Sequence, residues 1–408
     1  MSMRGPAGIV FLICSALAAQ DSIDRMLAQA RDLKATGDAA GALTIYEQAA
    51  AMDPRSAAIQ DDIGFLLAVL QRKDEALAKF QHAIELDPKY APAHFHLGVT
   101  YALAGDYGRG IPQLQTAAAL APGDAEYQYR LGVALNGRSQ FSEALPHLEA
   151  ATQLRPDYFA GWYQRGLALQ KTGELLEAER AYRRAAELNP DDPNIRIGLG
   201  LVLVNTRRAE EGIEQFQKIL DRDPANLQAK LNIGFAYLQK SDTEHAIPLF
   251  REVIAKDGSN ASAHYDLGVA LKQQDKLDEA KGEFKKALEL DSAMVEAHYM
   301  MGITYWQSGE FELSAAEMQA AIRLRPDYGA AYFMLGTALK QKGDLAGAES
   351  ALREATRLTP NDPGPYNTLG QVLRQKGDAA GSKAAFAEGA LAKKRLDDSQ
   401  VELLNKKK

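Results

Sequence analysis

A period of 34 residues runs through this 408-residue chain without an insertion, and no other feature limits its possible folds as sharply. In the unit Ala57–Tyr90, Gly64 takes position 8, Ala76 position 20, Phe80 position 24, Ala83 position 27 and Pro88 position 32. Proline returns at Pro54, Pro88, Pro122, Pro156, Pro190, Pro224, Pro326 and Pro360, with Gly258 and Ser292 in the two slots between. Glycine holds position 8 in ten successive units, from Gly64 to Gly370, and a degenerate unit from Ile23 brings the count to eleven. Periods of this length belong to arrays in which each unit buries its apolar face on its neighbours. They replace the two or three separate domains that the length alone would lead one to expect.

Each unit carries two runs of apolar residues at helical spacing, parted by a turn near position 15. Glycine stands there at Gly37, Gly105, Gly173, Gly309, Gly343 and Gly377, as expected where a helix ends on a left-handed residue. A carboxylate often follows, as in Asp38 and Glu174, near the start of the next helix, where the dipole favours it. The proline at position 32 closes the second helix. Two antiparallel helices of about 13 residues, about 20 Å long each, are predicted per unit. Glycine at position 8 and alanine at position 20 are expected to let the pair approach closely. The bulky residue at position 24 (Phe80, Tyr182, Phe216, Phe250, Phe284, Phe386) is expected to fill the gap between one unit and the next.

An aromatic at position 4 (Trp162, Tyr332, Tyr366), Leu-Gly at 7 and 8 (Leu97-Gly98, Leu267-Gly268), Ala at 20, an aromatic at 24, Ala at 27 and Pro at 32 resemble the tetratricopeptide repeat. The resemblance spans Ile23 to about Leu396. Gly110, Gly212, Ser314 and Ser382 depart from it at position 20, and Gly258 and Ser292 at position 32, without breaking the spacing. It implies an all-α solenoid of about eleven helix-turn-helix units, coiled as a right-handed superhelix with the first helices on its concave wall. The expected divisions are a leader at 1–19, the solenoid at 20–396, and a terminal capping helix with a basic tail at 397–408.

The leader reading rests on Arg4, an apolar run from Ala7 to Ala19, and Ala16-Leu17-Ala18 as a small-x-small cleavage pattern. The run is short for a bilayer span, which takes about 20 residues. A cleaved leader gives a periplasmic or secreted protein; an uncleaved one gives a membrane anchor, which leaves contact with a membrane only through that leader or a partner. Cys14 is the sole cysteine, so cleavage removes every thiol from the chain. The balance of 54 acidic and 47 basic residues argues against a nucleic-acid surface, which needs clustered cations. No phosphate loop, nucleophile elbow, zinc-protease helix or calcium loop occurs. No catalytic residue, cofactor or metal is therefore expected. His94 and His96, two apart on a helix, point to different faces, and His264 and His298, one repeat apart at position 4, lack further ligands.

By the resemblance, positions 2, 5, 9, 12 and 13 face the concave side. Phe95, Tyr129, Tyr163, Tyr265, Tyr299 and Phe333 at position 5, Phe65 and Phe235 at position 9 and Trp306 at position 12 then form an aromatic ladder. Asn136, Gln170, Gln239, Lys272 and Gln307 stand beside it. Aromatic anchors among adaptable amides suit the capture of a peptide segment or an amphipathic helix from another protein. The alternative is that these rings pack between adjacent first helices. A carboxylate clamp of the kind that grips chaperone tails is not expected, because position 5 is mostly aromatic or aliphatic and Asn232 is the lone asparagine at position 6. The expected role is a non-catalytic protein-interaction scaffold. The alternative role is an accessory subunit of a cell-envelope enzyme or a secretion or assembly machine.

Overall fold

The computed structural model describes residues 6–405, with side-chain surroundings for 21–398. Every regular element among them is a helix, and the chain divides into two compact units, Met1–Val202 and Leu203–Lys408. The first holds α1 (Pro6–Ala35), α2 (Ala39–Met52), α3 (Ala57–Val69), α4 (Lys73–Leu86), α5 (Ala91–Leu103), α6 (Tyr107–Leu120), α7 (Ala125–Gly137), α8 (Phe141–Leu154), α9 (Phe159–Thr172) and α10 (Leu175–Leu188). The boundary falls inside α11 (Pro193–Asn205). The second holds α12 (Ala209–Leu220), α13 (Leu227–Gln239), α14 (Thr243–Lys256), α15 (Ala261–Gln273), α16 (Leu277–Leu290), α17 (Val295–Gln307), α18 (Phe311–Leu324), α19 (Gly329–Lys342), α20 (Leu345–Leu358), α21 (Pro363–Gln375) and α22 (Ala379–Asn405). Within each unit a helix packs on the one before and the one after it. The first helices of successive repeats also touch, as α3 touches α5 and α13 touches α15. The expected all-α solenoid of helix pairs is what forms.

The turn at position 15 is left-handed in all eleven repeats. Six glycines have φ between 76° and 89°, and Gln71, Ser139, Arg207, Ser241 and Asp275 have φ of 59–63° in the other five. The geometry is therefore imposed by the helix pair and not by glycine. The next N–H reaches back to the carbonyl at position 11, as Asp106 does to Tyr101 and Arg72 to Leu67 (2.9 and 2.8 Å), closing the first helix with a Schellman bond. Asp38, Asp106, Asp242, Asp344 and Asp378 then cap the second helix by accepting an N–H three residues on. Where Arg72 stands instead, the side chain clasps Glu75 with two bonds of 2.7 Å.

Position 8 meets position 24 of the same repeat. A Cβ on Gly268 would lie 2.7 Å from the Phe284 ring, and one on Gly132 would lie 2.5 Å from Leu148. Position 20 supplies the backbone neighbour, as Gly110 O lies 3.0 Å from the Cβ site of Gly98. The expectation for position 24 thus needs enlarging: the side chain first fills the hole over its own repeat's glycine. It also reaches onward, since the Tyr182 ring lies 2.8 Å from the Cβ site of Gly166 and 2.6 Å from that of Gly198 in the next repeat.

The residue before position 32 has left the helix, with φ between −138° and −126° at Asp87, Asn189, Arg325 and Thr359. Asp257 and Asp291 adopt the same angles before Gly258 and Ser292, so the repeat ends there without proline. At the carboxy end no separate capping helix begins at 397. The second helix of the last repeat runs on unbroken as α22 through Asn405. Residues 6–19 of the expected leader form the start of α1, and nothing in the structure bears on its cleavage. Among the described residues no helix is long and apolar enough to cross a membrane.

Candidate functional site

First helices place position 5 on the wall where neighbouring repeats meet, so each ring there has two options, packing or exposure. The structure divides them. Phe65, Phe95, Tyr129, Tyr163, Phe235, Tyr265, Tyr299, Trp306 and Phe333 are all half-buried, neither sealed in the core nor free in solvent. Part of each position-5 ring is occupied by packing. Phe95 stacks on Tyr127 at 4.5 Å, Tyr129 meets the edge of Tyr158 at 4.7 Å, and Tyr299 leans on Tyr328 at 5.0 Å. Tyr163 and Tyr265 rest on the position-24 rings of their own repeats, Tyr182 and Phe284, at 5.9 and 6.0 Å. Phe65 lies under the Lys34 ammonium at 4.0 Å. Trp306 packs at the margin of an apolar cluster with its Nε1 buried and unpartnered.

The partners Tyr127, Tyr158 and Tyr328 escaped the sequence reading. Tyr158 and Tyr328 occupy position 34, immediately before a first helix, and their recurrence at a fixed repeat position was the available signal. Each belongs to a larger group. In the first unit Arg155 lies over Tyr158 (4.5 Å) and faces Glu126 (3.7 Å), which also accepts from Arg130 (2.7 Å). Five repeats on, in the second unit, Arg325 lies over Tyr328 (5.0 Å) and binds Glu296 (2.6 Å). Arg325 holds the Glu296 carboxyl below its ordinary range. Burial pushes the Tyr265 hydroxyl up to about 12, with Asp266 and Glu296 adding to it. These phenols are neutral donors at any ordinary pH.

Position 6, read from the sequence only for its lack of asparagine, carries a second set of polar contacts. Asp62, His96, Arg130, Asn232 and Asp266 stand there. Asp62 faces Lys34 (3.6 Å), yet burial outweighs that cation and raises its carboxyl. His96 Nδ1 bonds Asp61, which is 3% exposed, at 2.9 Å. His94 turns the other way, to Gln113 Oε1 (2.7 Å) and the Pro88 carbonyl (3.0 Å), so the two histidines do diverge. His264 and His298 each bond a glutamate of their own repeat, Glu283 and Glu317, at 2.6 Å. These position-4 groups tie the first helix to the second, and in several repeats to the preceding loop: Trp162 Nε1 donates to the Pro156 carbonyl at 3.0 Å. Among the described residues no group of three or more His, Cys, Asp or Glu could hold a metal ion.

The sequence profile described as "Tetratricopeptide repeat" matches residues 95–159, 163–226, 231–294 and 299–363, and one described as "TPR repeat" matches 69–105. No curated protein matches the chain. Among solved structures, a tetratricopeptide repeat protein from Parabacteroides merdae is similar with a TM-score of 0.56 at 15% identity, over 61% of this chain and 98% of that one. Yeast Tom70 is similar with a TM-score of 0.50 at 14% identity, over 95% and 96%. Human IFIT1, solved as a dimer with m7Gppp-AAAA, is similar with a TM-score of 0.50 at 15% identity, over 82% and 90%. At these identities the likeness concerns the fold alone.

Proposed function

The chain belongs to the tetratricopeptide repeat family, and from that premise we propose that it is a non-catalytic scaffold that binds peptide segments of other proteins along its first helices. One observation carries the reading: nine large rings spaced along those helices all keep part of their surface open. Rings fixed by packing on one side present area at small entropic cost on the other, and buried aromatic area is what anchors most protein contacts. Flanking amides such as Gln170, Gln239 and Gln307 adapt to a partner's backbone. Each square ångström of apolar surface covered contributes about 25 cal/mol before ordering costs.

The decisive variant replaces Tyr163, Tyr265 and Tyr299 by serine. Partner capture in pulldown is expected to vanish while helicity is kept, with melting lowered only by the packing that the three rings lose. Loss of folding with loss of capture, or capture that survives, would leave the rings with a packing role only. We extend the proposal to location: the leader at 1–19 directs export, and cell fractionation that finds the protein and its partners wholly in the cytosol refutes that extension. An accessory role in an envelope enzyme or assembly machine is the form this scaffold takes if the captured partner is such a complex.

A further inference from the structure

Position 6 of α15 holds an acid that the fold does not use. Five repeats earlier the same register position is His96, bonded to Asp61 on the preceding first helix. In the second unit Asp266 replaces His96, and Leu231 replaces Asp61. Asp266 therefore stands without a hydrogen bond or ion pair to any described residue, and burial is the one influence on its titration. Along the same wall Leu231, Tyr265 and Met300 pack into a shared apolar cluster. At the same register position one repeat before, the buried Nδ2 of Asn232 also lacks an acceptor.

Asp266 is half-buried, so part of its hydration is lost with no protein group to replace it, while its open side stays within reach of a ligand. Groups held in that state are found where a ligand completes them. The complement of an isolated carboxylate beside tyrosine is a guanidinium. It donates two parallel N–H bonds to the carboxylate, stacks on an aromatic face, and gives up its water more readily than an ammonium. The chain's formal net charge of −7 favours approach by a cationic segment.

We propose that Asp266 is the specificity anchor of the second unit, receiving an arginine side chain from the bound peptide, with Tyr265 beside it. This rests on the groove-binding reading and names the partner's chemistry. The test pans a library of short random-sequence peptides on the full chain and on its Asp266→Asn variant. It then compares an enriched peptide with its twin carrying norleucine in place of arginine. Arginine is expected to be enriched on the parent alone, and the arginine peptide to bind about tenfold tighter than its twin. In Asp266→Asn that difference is expected to collapse while helicity is unchanged. Binders without arginine enrichment, or a preference that survives in Asp266→Asn, overturn the anchor and leave groove binding standing. Failure to select any peptide whose binding depends on Tyr163, Tyr265 and Tyr299 overturns both.

Discussion

Gly268→Ala and Gly282→Ala make the same chemical change in one helix pair, and only the second is expected to raise stability. Both glycines are inside helices, α15 and α16, where alanine is favoured by about 1 kcal/mol. No atom lies within 4 Å of the place a Cβ would take on Gly282, so the helix preference is the whole effect there. On Gly268 the new methyl would sit 2.7 and 2.8 Å from two ring carbons of Phe284. That ring is fully buried and cannot turn away into solvent. Inserting a methyl into such a site costs about 1–3 kcal/mol, which cancels or exceeds the helix gain. The two variants should therefore differ by about 1–3 kcal/mol, with Gly282→Ala the more stable. Urea denaturation followed by circular dichroism gives the order. Hydrogen exchange of the α15 and α16 amides checks that the change is local, as it should be in an array stabilised by neighbour contacts. Gly268→Ala as stable as Gly282→Ala would refute the packing of position 8 against position 24.

Backbone handedness gives a second pair: Gly173→Ala, at φ 89°, is expected to cost about 1–2 kcal/mol, and Gln71→Gly, at φ 63°, to gain about 1. Equal melting temperatures for the two variants would contradict a turn imposed in every repeat. Asp266 supplies a pH dependence. Burial raises its carboxyl from 3.8 to about 7, so within that window the native chain keeps a proton that the unfolded chain has lost. Its contribution to stability therefore falls as pH rises through the window. Asp266→Asn should melt higher than the parent at about pH 8 and show a smaller drop between about pH 5 and about pH 8. Identical pH profiles would show that the carboxylate is solvated.

The period, the helix pairs and their ends were legible because each rests on local rules. A left-handed slot, a capping Asp and a small residue facing a large one recur at fixed positions, and eleven copies average out the exceptions. The local rules also show where residue identity matters least. Arg207 in a left-handed turn and Ser292 in place of a proline follow a geometry that their neighbours enforce.

The tertiary structure alone decided what the exposed side of the first helices carries. Whether Tyr129 is open or covered depends on Tyr158, a residue of the next turn that periodicity cannot bring beside it. Whether Asp266 has a partner depends on Leu231, one repeat earlier on another helix, where the first unit has Asp61. A helical pattern states which residues share a face of one helix. Partnership between helices is a matter of side-chain distance, and only packing sets that.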